Sequence, residues 1–142
     1  MDKDVINNKI ESLMRCIERI KSHFPPSIEK LESDYDMQDI ITLNLERAIQ
    51  LCVDIASHII SDFNEPVPKT MALSFDSLAK KNLIPPELAT NLSHAVGFRN
   101  IAVHQYEDIS WKIVYSILNK NLSDFLDFAR CIIEKISGSS QN

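Results

Sequence analysis

The run Gly97-Phe98-Arg99-Asn100-Ile101-Ala102-Val103-His104-Gln105-Tyr106 gathers the side chains in this sequence best suited to chemistry. An imidazole, whose ordinary pKa is about 6.5, can take or give a proton near neutral pH. A guanidinium offers paired N–H donors that match phosphoryl or carboxylate oxygens. On a helix turning roughly 100° per residue, Leu88, Leu92, Ala95, Val96, Ala102 and Val103 form one apolar stripe with Arg99 near its centre. A permanent cation on a core-facing stripe must be paired or must border a cleft. Two readings follow: a structural Arg99 paired with a carboxylate such as Asp54, or an Arg99 that lines a site. His104 falls roughly 140° round the wheel from Arg99, on a mixed face with Ser93, Gly97, Asn100 and Ile101. Taken alone it is equally a hydrogen-bonded surface histidine. Glycine inside a helix costs about 1 kcal/mol against alanine. Gly97 therefore marks either the close approach of another helix or subunit, or a helix that starts later and leaves Gly97 in a turn. Tyr106 reads either as a functional phenol or as a core aromatic beside Leu88 and Leu92.

Amphipathic helices must position these residues. Ile6, Ile10, Leu13, Ile17, Ile20 and Phe24 form a first stripe, ended by Pro25-Pro26 because proline lacks an N–H and disfavours helix before it. A short helix over 27–33 follows. A long helix from Asp36 to Phe63 runs through Ile41, Leu45, Ala48, Cys52, Ile55 and Ile59, with Pro66 and Pro68 at its exit. Thr70 to Lys81 forms a shorter helix carrying Met71, Phe75 and Leu78. The Pro85-Pro86 pair then opens the motif helix from Glu87, proline being favoured in a first turn. The last helix spans Ser110 to Ile136 on the stripe Trp111, Tyr115, Leu118, Leu122, Phe125, Ala129, Ile132 and Ile136. A polar tail occupies 137–142. No strand alternation competes, so the expected fold is an all-α, up-and-down bundle of four main helices plus short ones in a single domain, 1–136.

Composition narrows the function classes. The 142 residues are 44% hydrophobic, enough for one real core. With only two glycines, glycine-rich nucleotide cradles of the Walker and Rossmann type are excluded. The balance of 15 Lys+Arg against 20 Asp+Glu, a net charge of −5, argues against a broad basic surface that tracks nucleic-acid backbones. The polar N-terminus is no signal peptide and no apolar run reaches the roughly 18 residues of a membrane span. A cytoplasmic protein is expected, with no membrane contact. Cys16, Cys52 and Cys131 lack metal or redox spacing and read as buried structural thiols. The four scattered histidines form no metal set, and no cofactor is expected.

The pattern Arg99-Asn100-x-x-x-His104-x-Tyr106 resembles the R-N-x-x-x-H-x-Y signature of the HEPN superfamily, in its HepT-like branch of toxin ribonucleases. The likeness extends to Asn44, Arg47, Gln50, Asp54 and His58 on the long helix, to Glu65-Pro66-x-Pro68 and to Val96-Gly97-Phe98. It spans about residues 1–136. This resemblance implies a HEPN-like fold and the toxin of a toxin–antitoxin pair, an endoribonuclease that needs no metal. It implies a homodimer in which the Arg-His motifs of two subunits meet in a cleft, with Gly97 facing the partner. His104 would move protons at the ribose 2′-OH or the leaving oxygen, Arg99 would stabilise phosphoryl charge, and Asn100 would orient His104 or the phosphate. Tyr106 would accept AMP from a cognate minimal nucleotidyltransferase antitoxin, the added phosphates blocking RNA by charge and bulk. Asp54 and His58, one turn apart, are candidates for a supporting polar shell or for a solvated face. Two other readings stand beside the RNA-cleaving toxin: a catalytically silent helical module that partners a nucleotidyltransferase, and a structural dimerisation bundle. An intact Arg99, His104 and Tyr106 favour the first.

Overall fold

A computed structural model describes residues 2–140, and its regular structure is helical throughout. The helices are α1 (Lys3–Ser22), α2 (Ile28–Ser33), α3 (Tyr35–Ile60), α4 (Met71–Lys80), α5 (Pro86–His104), α6 (Trp111–Lys120) and α7 (Leu122–Ser140), with a single 3-10 turn at Tyr106–Asp108. The starts follow from side chains that satisfy the orphan N–H groups of a first turn. Asp2 accepts from the amides of Asp4 and Val5, Ser27 from Lys30, Thr70 from Leu73 and Ser110 from Ile113. Asp34 does this for α3 through Met37 while its own amide closes α2 on the Lys30 carbonyl, so one residue turns the chain between two helices. The Met37 amide holds the Asp34 carboxyl below its usual range, with Lys30 3.3 Å away helping. Pro86 occupies the first turn of α5, as the sequence predicts. Asn82, in the left-handed region at φ 60°, turns the chain after α4, a conformation asparagine tolerates.

The expected four-helix bundle is present. Helices α1, α3, α5 and α7 form it: α3 packs on α1 and α5, and α7 reaches all three. Their apolar stripes meet in one core that includes Ile6, Leu13, Ile17, Leu45, Ile55, Phe75, Leu92, Val96, Phe125 and Phe128. Phe75 brings α4 in by an edge-to-face contact with Phe128, the ring centroids 5.9 Å apart.

Three expectations change in detail. The long final helix is two helices, because Asn121 leaves helical geometry at φ −120°, ψ −1°. Its amide still bonds the Ile117 carbonyl, and its side chain and carbonyl bond Asp124. The break frees α6 to cover α2 while α7 stays in the bundle. The first helix ends at Ser22, which leaves Phe24 outside its stripe and exposed. Cys16 and Cys52 are buried, whereas Cys131 is half-buried on α7. The backbone of α7 continues through part of the polar tail to Ser140, and residues 141 and 142 lie outside the described residues. No helix among the described residues is long and apolar enough to cross a membrane.

Candidate active site

Helix α5 is continuous from Pro86 to His104, so Gly97 sits inside a helix and not in a turn. Leu88, Leu92, Val96 and Ala102 are buried, and Arg99 lies half-buried among them, as the wheel predicts. Its guanidinium donates to Asn100 Oδ1 at 3.2 Å. Its Nε is shielded from solvent and has no acceptor among the described residues. The pairing with Asp54 does not occur: that carboxylate accepts from Gln50 Nε2 at 2.9 Å and faces Lys9 at 3.9 Å. Arg99 is thus a half-buried cation with no ion pair among the described residues.

His104 is the last residue of α5, and Gln105 leaves the helix at φ −142°, ψ 54°. The imidazole is exposed. The five-residue separation from Arg99 corresponds to about 7.5 Å along the helix axis.

Tyr106 lies in the 3-10 turn just beyond, 44% exposed, and is not a core aromatic with Leu88 and Leu92. Its ring lies edge-on to Trp111 at 6.5 Å, and its hydroxyl donates to Asp39 Oδ1 on α3 at 2.8 Å. Asp39 is itself exposed, so the bond lies at the surface and the phenol is only partly sheltered from solvent. That shelter, together with the hydrogen bond to Asp39 and its negative charge, pushes the phenol up to about 12. Asp39 is a partner of the candidate Tyr106 that sequence reasoning missed. It lies 67 positions from Tyr106, and nothing in the local pattern links them.

The remaining candidates are placed elsewhere. Asp54 and His58 lie half-buried on the side of α3 that meets α1, and His58 Nε2 accepts the Asp2 amide at 3.3 Å. Neither shares a hydrogen bond or ion pair with Arg99, Asn100, His104 or Tyr106. Around Gly97 no other element among the described residues comes close: a methyl group built there meets no atom within 4 Å beyond its chain neighbours and the backbone of its own helix. Its backbone instead forms part of the wall of a largely apolar groove of about 340 Å³, lined also by Phe98, Ile101, Ile109, Ile113 and Phe125. Among the described residues no three His, Cys, Asp or Glu side chains gather where they could hold a metal ion.

An α5 that carries a partly satisfied arginine and ends on an exposed histidine, in a bundle of this order, defines a helical domain of the HEPN class. The chain belongs to the ribonuclease HepT-like family, whose profile matches residues 13–132. It is 39% identical over 125 residues to a Shewanella oneidensis protein named mRNA nuclease HepT, covering 88% of this chain and 93% of that one. An Aphanizomenon flos-aquae protein named tRNA nuclease HepT is 27% identical over 128 residues, 90% of this chain and 87% of its own length. Among solved structures, the tri-AMPylated Shewanella oneidensis HEPN toxin in complex with MNT antitoxin superposes with a TM-score of 0.86 at 38% identity, covering 94% of this chain and 99% of that one.

Because Asp39 holds the Tyr106 proton, Asp39→Asn should lower the phenol from about 12 towards the ordinary tyrosine value. An ultraviolet titration of the phenolate, with Tyr106→Phe as the blank, reads the shift. An unchanged midpoint would mean that Asp39 does not act on Tyr106. Since the folded value lies above the unfolded one, the contribution of Tyr106 to stability is intact below about pH 10 and is lost as pH rises towards 12.

Proposed function

We propose that the protein is the RNA-cleaving toxin of a toxin–antitoxin pair, a metal-independent endoribonuclease whose site is Arg99, Asn100 and His104 on two copies of the chain. The observation that carries this reading is the half-buried Arg99, with its Nε unpaired, on the same helix that ends in an exposed His104. A shielded donor without an acceptor is costly, and a phosphoryl oxygen is the acceptor that a guanidinium fits best. The names of the nuclease relatives support the substrate class.

In the reaction, neutral His104 takes the proton of a ribose 2′-OH as the 2′-oxygen attacks the adjacent phosphorus. The P–O5′ bond breaks, and the leaving 5′-oxygen takes a proton from an imidazolium, that of His104 or of its copy across the cleft. The product is a 2′,3′-cyclic phosphate, which water can open to a 3′-phosphate. Arg99 stabilises the charge that grows on the non-bridging oxygens, an effect worth several kcal/mol where donors are held in place beforehand. Asn100, already bonded to the guanidinium, fixes its direction. The second copy rests on the Gly97 face, whose bare backbone and apolar groove would let a helix approach. Asp54 and His58 then support the long helix against α1 rather than the reacting groups.

Tyr106 is the proposed acceptor of AMP from a minimal nucleotidyltransferase, the modification carried by the Shewanella toxin in its antitoxin complex. The phenol oxygen attacks the α-phosphorus of ATP and pyrophosphate leaves. Asp39 stands where the phenolic proton must go. Each added AMP places negative charge two residues beyond His104, against incoming phosphates.

Incubated with RNA in EDTA, the wild-type chain should cut and leave cyclic or 3′-phosphate ends, and His104→Ala should lose at least about 100-fold in rate. Absence of cutting by the wild type, or equal cutting by the mutant, would contradict the proposal. With ATP and a cognate minimal nucleotidyltransferase, intact-mass spectrometry should show AMP increments that vanish in Tyr106→Phe, and increments persisting in that mutant would move the acceptor elsewhere.

A further inference from the structure

The sequence contains five arginines, and three of them, Arg15, Arg19 and Arg47, line a single groove of about 650 Å³ between α1 and α3. All three are exposed, and none has an ion pair among the described residues. The one acidic side chain in the lining, Asp54, is already engaged by Gln50 and Lys9. Arg47 and Arg15 converge on Cys16 at the groove floor, where their positive field opposes the upward push of burial on that thiol. In the same lining, Gln50 donates its amide nitrogen to Asp54, and its Oε1 is shielded from solvent with no hydrogen-bond partner among the described residues. Three exposed guanidiniums lining one groove concentrate positive charge there on an otherwise acidic chain, and such a patch raises the local concentration of anions.

We propose that this groove is a second nucleic-acid contact, which holds the phosphates of single-stranded RNA outside the cutting site. The inference rests on the ribonuclease reading and adds to it. Along α3 the Asp39 position beneath Tyr106 and the groove at Arg47 are eight residues apart, about 12 Å. One RNA strand can therefore reach both the end of α5 and the groove. A chain with net charge −5 repels RNA over most of its surface, so the groove supplies the local attraction that the cutting site needs.

The test uses the full chain carrying His104→Ala and an unstructured, labelled single-stranded RNA oligonucleotide, with affinity read by fluorescence anisotropy over a range of salt. Replacing Arg15, Arg19 and Arg47 together by glutamine should weaken binding by about tenfold or more and flatten the log-affinity against log-salt slope by about 2. The charge-matched set Lys69→Gln, Lys112→Gln, Lys135→Gln should leave the slope unchanged. In the active chain the arginine triple should raise KM with kcat held. Should the triple fail to fold by circular dichroism, single replacements each remove about 0.7 of slope, and Arg47→Lys restores what Arg47→Gln loses. An unchanged slope, or an equal fall in both triples, overturns the groove. Retained RNA affinity with lost binding of the nucleotidyltransferase also overturns it, assigning the face to a protein. A wild type that neither binds nor cuts RNA defeats the ribonuclease reading itself, whereas a cutting wild type with an indifferent arginine triple defeats the groove alone.

Discussion

The structure turns on one arginine held where an apolar side chain would be easier to accommodate. Arg99 stands half-buried on the stripe of Leu92 and Val96, and among the described residues its hydrogen-bond partner is the neutral Asn100. A buried pair with Asp54 would have made it a structural fixture, yet that carboxylate lies against α1. The cation is kept available, and the cost of keeping it so falls on the bundle around it. Helix α5 has to be straight through Gly97, anchored at its start by Pro86 and packed along Leu88, Leu92 and Val96, so that Arg99 is fixed and His104 falls at the helix end.

The fold was largely legible in the sequence because it is encoded by period. Stripes three and four residues apart, bounded by Pro25-Pro26, Pro66, Pro68 and Pro85-Pro86, place the main helices to within a few residues. The break at Asn121 was not legible, since Leu118 and Leu122 keep the helical spacing across it and both are buried. What decides the break is tertiary: α6 gains more by covering α2 than by continuing along the bundle.

Local spacing singles out Arg99, His104 and Tyr106 as candidates, but it leaves open whether Tyr106 is a core aromatic and does not supply partners distant in the chain. Asp39 is invisible from the motif because its link to Tyr106 is made by folding. Asp54 and His58 illustrate the converse. Their one-turn spacing on a polar face is real, but the wheel does not say which neighbour that face meets, and the neighbour is α1. Arg15, Arg19 and Arg47 likewise look like scattered surface charges until α1 and α3 pack.

The acidic composition then acquires a positional meaning. The net charge is −5, and the arginines without an ion pair among the described residues stand at two places, Arg99 on α5 and Arg15, Arg19 and Arg47 in the groove between α1 and α3. In the proposed chemistry the RNA itself supplies the nucleophile, and His104 need only move its proton. The most direct test compares cutting of an RNA oligonucleotide with its counterpart carrying 2′-deoxyribose at the cut position. The account predicts that the substituted strand still binds and is not cut there, whereas cutting at an undiminished rate would show that the 2′-OH is not the nucleophile and would contradict it.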